Sequence, residues 1–196
     1  MIRPFLAVLV STALALPAVA ALTTGAPAPD FTTKASLAGK EFTFTLKDAL
    51  KKGPVVVYFY PSAYTGGCNI QAHTFAENMD KFSAAGASVI GVSLDNIATL
   101  NEFSADPEYC AGKLPVASDV DGKIAKSYDL KVSEARAGAK NTKGDDIDHG
   151  FTERTTFIVD KSGKVVSTVG GVSPKENVEK ALAAVQHLSM HGAHKG

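Results

Sequence analysis

Three short stretches of the chain consist almost entirely of apolar and β-branched residues. They cover residues 55–60, 87–93 and 155–159, and Gly, Pro, Asp or charged residues flank them. Continuous apolar runs of this length are typical of strands that are buried on both faces of a sheet. Weaker strand patterns predict three more strands, at 42–46, 115–118 and 164–169.

Helical periodicity occupies the segments between these strands. Ala72, Phe75, Met79 and Phe82 follow the spacing of one apolar helix face. Further helices are predicted over 46–52, over 96–109, over 120–128, and from Ser173, an N-cap before a proline, to about residue 188. The segment 131–150 is polar, rich in Gly, Lys and Asp, and without periodicity, so we expect a surface loop there.

The order of these elements predicts the fold class. Strands alternate with helices, and a turn at 160–163 joins the last two strands into a hairpin. Such an order favours an α/β fold in which helices flank a central mixed sheet, mostly parallel with an antiparallel edge. It is the order of the thioredoxin-like fold with an extra segment between its halves.

The first twenty residues differ in composition from the rest. Arg3 precedes an apolar run over 5–16, and small residues follow up to Ala20. This is the layout of a secretory signal peptide, and the run is shorter than the ~20 residues that span a bilayer. We predict a signal peptide over 1–20, a linker over 21–29, a single domain over 30–188 and a flexible, His-containing tail over 189–196. The protein is then exported, to a periplasm, without stable membrane association; a retained N-terminal anchor is the alternative.

Charge and cysteine content limit the possible functions. Twenty basic and twenty acidic residues give a net charge of zero, and no basic stripe points to nucleic acid as a partner. Hydrophobic residues make up 45% of the chain, enough for a core without disulfides. The two cysteines, Cys68 and Cys110, would be compatible with a structural disulfide in an oxidising compartment, and their spacing does not decide the question.

Cys68 lies where the strand at 55–60 gives way to a helix. The carboxyl ends of strands are where open α/β sheets place their chemistry. The dipole and the free N–H groups of a helix N-terminus favour a thiolate. On these local features alone, Cys68 is equally well a nucleophile or a buried structural thiol.

The residues around Cys68 resemble the peroxiredoxins. Pro61-Ser-Ala-Tyr-Thr65-Gly-Gly-Cys68 has the Pro-x-x-x-Thr-x-x-Cys spacing of that family. The segments 58–61, 118–122 and 154–160 are similar to its Q-type, bacterioferritin-comigratory branch, and the resemblance runs from about residue 25 to 188. It implies a thiol-dependent peroxidase that reduces hydrogen peroxide and organic hydroperoxides through a cysteine sulfenic acid. The reductant would be thioredoxin-like or another thiol, and no organic or metal cofactor is needed, since sulfur carries the two electrons.

The resemblance also implies a role for five residues. Cys68 matches the peroxidatic nucleophile, Thr65 the hydroxyl that contacts thiolate and peroxide, and Pro61 the residue that shields the sulfur from water. Arg154 matches the arginine that favours the thiolate and stabilises charge on the departing oxygen. Cys110 lies roughly where some Q-type members carry a resolving cysteine that forms a disulfide with the first. The alternative is an unpaired Cys110 and resolution by an external thiol.

The chain departs from the family pattern at two places. Gly66 and Gly67 stand where Pro or Val is common, which predicts a more flexible backbone in the pocket. Gln71 replaces a common Glu, and it keeps the hydrogen-bonding capacity while removing the charge.

Single residues exclude two other classes of the same fold. Thiol–disulfide oxidoreductases need Cys-x-x-Cys, but Gln71 stands at the second position, and copper chaperones need Cys-x-x-x-Cys, but Ala72 stands there. The remaining rival is a non-catalytic metal-binding or interaction protein that uses His187, His191 and His194, although a polar tail is the simpler account. A monomer is expected, since no long apolar edge stands out.

Overall fold

A seven-stranded mixed sheet forms the centre of the computed structural model, which describes residues 21–192. The predicted signal peptide and His194 lie outside the described residues. The strands are β1 (Thr32–Leu37), β2 (Lys40–Thr45), β3 (Val55–Phe59), β4 (Ser88–Ser93), β5 (Val116–Ser118), β6 (Thr155–Val159) and β7 (Val165–Gly170). The helices are α1 (Leu46–Leu50), α2 (Gly66–Ala84), α3 (Ile97–Ala105), α4 (Lys123–Ser127) and α5 (Pro174–Gly192).

The strand order across the sheet is β2-β1-β5-β4-β3-β6-β7. Strands β3, β4 and β5 run parallel, while β1 pairs antiparallel with β5 and β6 pairs antiparallel with β3. The predicted α/β class, a central mixed sheet flanked by helices, is confirmed.

The central strand β3 is buried on both faces, as its unbroken apolar run predicts. Val56 and Tyr58 belong to a core that includes residues of α2, α3 and α5. Val55, Val57 and Phe59 belong to a second core, which α1 and α4 cover. The alternation along one strand thus separates the two layers of helices, and the helix that carries Cys68 lies in the first layer.

Strand β1 is not predicted by the sequence pattern, because only Ala35 and Leu37 of its residues are apolar. Its pairing with β2 follows a tight turn in which Ala38 has a φ of 51° and Gly39 a φ of 77°. Glycine enters this left-handed region at little cost, so Gly39 is the signal that marks the hairpin.

The helix predicted over 96–109 ends at Ala105. Asp106 precedes Pro107 and has an extended backbone, with φ −61° and ψ 119°. Helical geometry is unfavourable for a residue that precedes proline, because the proline ring clashes with the backbone of that residue. The turns that follow carry Cys110, so this cysteine lies beyond the helix on which the sequence pattern placed it.

Both ends of the described chain make regular contacts. Residues 21–29, predicted as a linker, lie along the β6–β7 hairpin: Gly25 N donates to Val165 O at 2.8 Å, and Ala28 N to Gly163 O at 2.8 Å. At the other end α5 continues to Gly192, so the predicted tail begins within a helix. Among the described residues, no helix has both the length and the apolar character needed to cross a membrane.

Candidate active site

The pairing of β3 with β6 brings Cys68 and Arg154 together. The antiparallel register places Phe59, the last residue of β3, opposite Thr155, the first residue of β6. Arg154 therefore lies beside the end of β3, where the chain enters the loop that leads to Cys68. Arg154 Nη2 donates a hydrogen bond to Cys68 Sγ at 3.4 Å. The fold thus joins two residues that the sequence motif identifies separately.

Cys68 is the third residue of α2, and 3% of it is exposed. The first hydrogen bond of the helix runs from Asn69 N to Thr65 O at 2.8 Å. The N–H groups of Gly66, Gly67 and Cys68 therefore have no acceptor within the helix. Together with the guanidinium, these groups direct partial positive charge towards the sulfur.

A chain of buried carboxamides extends from Arg154 into the protein. Arg154 Nη1 donates to Gln71 Oε1, and Gln71 Nε2 donates to Asn177 Oδ1 at 2.9 Å. The same Asn177 oxygen accepts from Thr156 Oγ1 at 2.6 Å, and Asn177 Nδ2 donates to Val169 O at 3.0 Å. Sequence reasoning identified Gln71 only as a departure from the family. It missed Asn177, because no pattern within α5 marks that residue.

Gly67 makes room for the arginine. A Cβ atom at position 67 would lie 3.0 Å from Arg154 Nη2 and 3.3 Å from Pro174 Cγ, whereas a Cβ at Gly66 would meet no atom within 4 Å. The departure at Gly67 therefore has a packing reason. Glycine at position 67 allows the Arg154 guanidinium to lie close to the start of α2. The sequence predicts only a more flexible backbone there.

Thr65 and Pro61 both lie between the end of β3 and the start of α2. Thr65 is the N-cap residue of α2, and its Oγ1 donates to Ser62 O at 2.8 Å. The described hydrogen bonds of the Thr65 hydroxyl do not include one to Cys68. The hydroxyl uses its proton for this hydrogen bond to Ser62 O, and its oxygen can still accept a hydrogen bond from a ligand. Pro61 follows the end of β3 and is half-buried.

Asp95, just after β4, holds the loop that leads to Cys68. Its carboxylate accepts hydrogen bonds from Ser62 Oγ at 3.0 Å, Ala63 N at 2.8 Å and His149 Nε2 at 3.0 Å. Burial alone would raise the pKa of Asp95, but the hydrogen bonds from His149, Ser93 and Ala63 outweigh it and hold the pKa below its ordinary value. Burial alone would lower the pKa of His149, but its hydrogen bond to Asp95 raises that pKa.

The segment 131–150 contacts the same loop at a second place. Thr142 N donates to Tyr64 O at 2.7 Å, and Lys143 Nζ lies 4.4 Å from the centre of the Tyr64 ring. The segment that the sequence predicts as a surface loop therefore also contacts the loop that leads to Cys68.

Cys110 is a free thiol with none of its surface exposed, and it lies in the same apolar core as Cys68. Burial, and secondly the nearby Asp106 carboxylate, raises the pKa of Cys110. The hydroxyl of Tyr58 is buried without a hydrogen-bond partner. Its pKa is raised by burial and then by the negative charges that Cys110 and Cys68 would carry. The two thiols thus share one core around Tyr58 without being bonded to each other.

Two of the three histidines of the alternative hypothesis, His187 and His191, lie at the end of α5. The rings of His187 and His191 stack with their centres 4.0 Å apart, and both residues are exposed. Within residues 21–192, no group of three or more His, Cys, Asp or Glu side chains is arranged to hold a metal ion.

Comparison with known sequences agrees with the resemblance seen in the motif. The sequence model of the AhpC/TSA family matches residues 24–168. The putative peroxiredoxin bcp of Coxiella burnetii is 34% identical over 140 residues, which cover 70% of this chain and 82% of that protein. The putative chloroplastic peroxiredoxin Q of Oryza sativa subsp. indica is 32% identical over 167 residues, covering 84% of this chain and 67% of that protein.

Comparison with solved structures gives the same answer for the fold. The crystal structure of peroxidoxin BcpB from Mycobacterium tuberculosis matches with a TM-score of 0.68 and 28% identity, covering 84% of this chain and 96% of that one. The predicted thioredoxin-like fold is thereby confirmed. Because the family match covers most of the chain and these relatives are matched over most of their length, the chain belongs to the AhpC/TSA family, as a peroxiredoxin of the Q type.

Proposed function

We propose that this thiol-dependent peroxidase uses Cys68 as its nucleophile and Cys110 as its resolving cysteine. The observation that carries the first assignment is the guanidinium of Arg154, 3.4 Å from Cys68 Sγ at the start of a helix. A fixed cation and free N–H groups around a sulfur atom favour the thiolate. The same groups stabilise the negative charge that develops on a departing oxygen.

In the first step, the Cys68 thiolate attacks one oxygen of the hydroperoxide. The S–O bond forms as the O–O bond breaks, so the sulfur is oxidised by two electrons to a sulfenic acid. The departing oxygen takes up a proton and leaves as water or an alcohol. Thr65 accepts a hydrogen bond from the peroxide, Arg154 stabilises the departing oxygen, and Pro61 limits the access of water to the sulfur.

In the second step, Cys110 loses its proton and its sulfur attacks Cys68 Sγ. A disulfide forms and water leaves, and an external thiol of the thioredoxin type then reduces the disulfide. Because Cys110 is fully buried with a raised pKa, the turns that carry it must first move out of the core. A disulfide also requires the Cα atoms of Cys68 and Cys110 to lie within ~7 Å of each other.

The test is the reaction of the pre-reduced chain, without residues 1–20, with one equivalent of hydrogen peroxide. We expect rapid peroxide consumption and, by intact mass, the loss of two hydrogen atoms as the disulfide forms. Cys110→Ala should instead gain one oxygen on Cys68, and Cys68→Ala should not react. Alanine is the better substitution at position 110, because a serine hydroxyl would be buried among apolar side chains.

Three outcomes would contradict parts of this proposal. Peroxide consumption no faster than that of a free thiol, or full activity of Cys68→Ala, would remove Cys68 from the mechanism. A sulfenic acid that accumulates on Cys68 in the presence of Cys110 would keep Cys68 as the nucleophile and assign resolution to an external thiol.

We further propose that the chain is exported after cleavage behind Ala20, and that it acts as a monomer. The composition of residues 1–20 supports export. N-terminal sequencing of the protein from a periplasmic fraction tests this proposal, because mature protein that begins at Ala21 is expected there. Light scattering of the reduced and the oxidised protein tests the monomer, and a dimer mass in either state would contradict it.

A further inference from the structure

We infer that Asn177, on α5, is a positioning residue that directs Arg154 towards Cys68. It acts through Gln71, because its hydrogen bonds go to Gln71, Thr156 and Val169 and not to the arginine or the sulfur. This inference rests on the proposed role of Cys68. The AhpC/TSA match ends at residue 168, so Asn177 lies outside the matched segment.

The hydrogen bonds leave one orientation for each carboxamide. Val169 O is a carbonyl oxygen and can only accept, so the Asn177 atom that faces it must be Nδ2. Asn177 Oδ1 then faces Gln71 and accepts, so Gln71 must present Nε2 to it. Gln71 Oε1 is therefore the atom that faces Arg154, whose guanidinium can only donate. A backbone carbonyl of β7 thus sets the orientation of the whole chain of donors and acceptors.

Burial makes this orientation stable. None of the surface of Gln71, Thr156 or Asn177 is exposed. A carboxamide that turned over would place donor against donor or acceptor against acceptor without water to compensate, which is unfavourable. Arg154 Nη1 therefore has a fixed acceptor, and this contact keeps Nη2 directed at the sulfur atom of Cys68.

Gln71 and Asn177 form a matched pair. A glutamate at position 71 would present a second acceptor to Asn177 Oδ1, and Asn177 would be unable to turn because Val169 O occupies its other side. The replacement of the common Glu by Gln at position 71 is therefore explained by Asn177, which lies on α5, far from Gln71 in the sequence.

The test compares variants in a Cys110→Ala background, so that only Cys68 reacts. Asn177→Leu has a similar volume but leaves Gln71 Nε2 without an acceptor. We expect its Cys68 to react about tenfold more slowly with both iodoacetamide and hydrogen peroxide, since small misplacements of a catalytic group have effects of this size or more. Gln186→Leu, an exposed position on the same helix, is the matched control and should react like the parent.

A second variant separates positioning from a general loss of structure. In Asn177→Asp, a protonated carboxyl group can donate to Val169 O and accept from Gln71, as Asn177 does, whereas an ionised one cannot donate. The iodoacetamide rate of this variant, divided by the parent rate at each pH, should be near one in acid and fall by about tenfold as pH rises.

The outcomes distinguish this inference from the proposed function. A folded Asn177→Leu with rates within about twofold of the parent would overturn the inference, given the tenfold loss expected. So would an Asn177→Asp ratio that stays constant across pH, which also decides the case if Asn177→Leu fails to fold. A parent protein that is inert to peroxide, but whose alkylation rate depends on Asn177, would contradict the proposed function and leave the positioning role intact.

Discussion

At the residue scale, two adjacent glycines in the motif before Cys68 have different roles. A Cβ atom added at Gly67 would point at the guanidinium of Arg154, while one added at Gly66 would point into open space. The atom that a new Cβ at position 67 would meet first is the end of a flexible side chain. The Arg154 side chain would therefore move before the backbone does. A side chain at position 67 would lower the reactivity of Cys68 more than the stability of the fold.

We expect Gly67→Ala to slow the reaction of Cys68 with hydrogen peroxide by about tenfold or more, because a displaced guanidinium no longer faces the sulfur. Gly66→Ala is the matched control. It should keep the parent rate and raise the free energy of unfolding by about 0.4–1 kcal/mol, since alanine at a compatible backbone position lowers the conformational entropy of the unfolded chain. Stopped-flow kinetics and urea unfolding measure the two effects. Equal rates for both variants would show that the contact with Arg154 does not matter.

The family resemblance identifies both Cys68 and Arg154, because each belongs to a motif in the linear sequence. Asn177 could not be found in that way, since its role depends on where α5 packs against α2 and β7. The direction of the Thr65 hydroxyl is also invisible in the sequence. It depends on the local geometry that brings the Ser62 carbonyl within 2.8 Å.

At the scale of elements, the pair formed by Asp95 and His149 ties three segments together. Asp95 follows β4, Ser62 and Ala63 belong to the loop before Cys68, and His149 comes from the segment 131–150. Only 5% of the Asp95 side chain and 14% of the His149 side chain are exposed, so solvent screens this ion pair little. Its strength should therefore follow the ionisation of both partners.

The sign of the pH dependence follows from the directions of the two shifts. His149 has a pKa raised above 6.5 in the folded state, so its contribution is full below that value and is lost as pH rises through the raised pKa. Asp95 has a pKa lowered below 3.8, so its contribution is full above that value and is lost as pH falls through the lowered pKa. The pair is strongest between these limits.

We expect His149→Gln to lower the free energy of unfolding by about 1.5 kcal/mol at about pH 6, the lower value for a hydrogen bond between charged groups. The difference from the parent should shrink as pH rises, because the parent loses its imidazolium charge. Urea unfolding across pH measures it. His73→Gln is the control, since the His73 side chain is 51% exposed next to Glu77 and should contribute little. A pH-independent loss in His149→Gln would contradict the ion pair.

Local signals explain which element boundaries could be predicted. Ser173 does cap α5, as its sequence pattern predicts, with Glu176 N donating to Ser173 Oγ at 3.3 Å. The helix predicted over 120–128 begins later, at Lys123, because the Asp119 carboxylate accepts from Ile124 N at 3.0 Å and Ala125 N at 2.8 Å and so fixes the start of α4. These two hydrogen bonds involve a polar side chain that precedes the helix, so the hydrophobic pattern does not indicate them.

At the scale of the whole molecule, α5 completes the core over the helix that carries Cys68. Val178, Ala181 and Val185 are at most 1% exposed and belong to the same core as Phe75 and Phe82 of α2. Removal of α5 would expose this apolar surface and the Gln71 carboxamide together. The fold and the site therefore depend on a helix that lies beyond the family match.

We expect a chain that ends after Val172 to lose cooperative unfolding and peroxide reactivity together. A chain that ends after Leu188 should keep both, because Ser189, Met190 and His191, the removed residues whose burial the structure describes, are exposed. Thermal denaturation followed by circular dichroism and the peroxide rate are the measurements. Function that disappears with residues 189–196 while the fold persists would instead favour the metal-binding or interaction protein.

The alternation of strands and helices predicts the α/β class of the whole molecule, because each buried strand needs a helix to cover each face. It does not predict that β1 joins the sheet beside β5. Ala35 pairs with Ala117 there, although the sequence of β1 is largely polar. The hairpin with β2 is a local feature, whereas the pairing of β1 with β5 is a long-range contact that the local pattern does not show.

The distribution of aromatic residues has a consequence for observing the protein at work. The chain has five tyrosines and no tryptophan, so its ultraviolet emission comes from tyrosine alone. Four of these tyrosines belong to the core that holds both cysteines or pack against it: Tyr58, Tyr60, Tyr64 and Tyr109. Tyr58 and Tyr60 stack with ring centres 5.3 Å apart, and Tyr64 meets Tyr109 at 5.8 Å. The native protein therefore carries its own fluorescent reporter, and we expect its quantum yield to change if the two sulfur atoms become bonded, without any added dye.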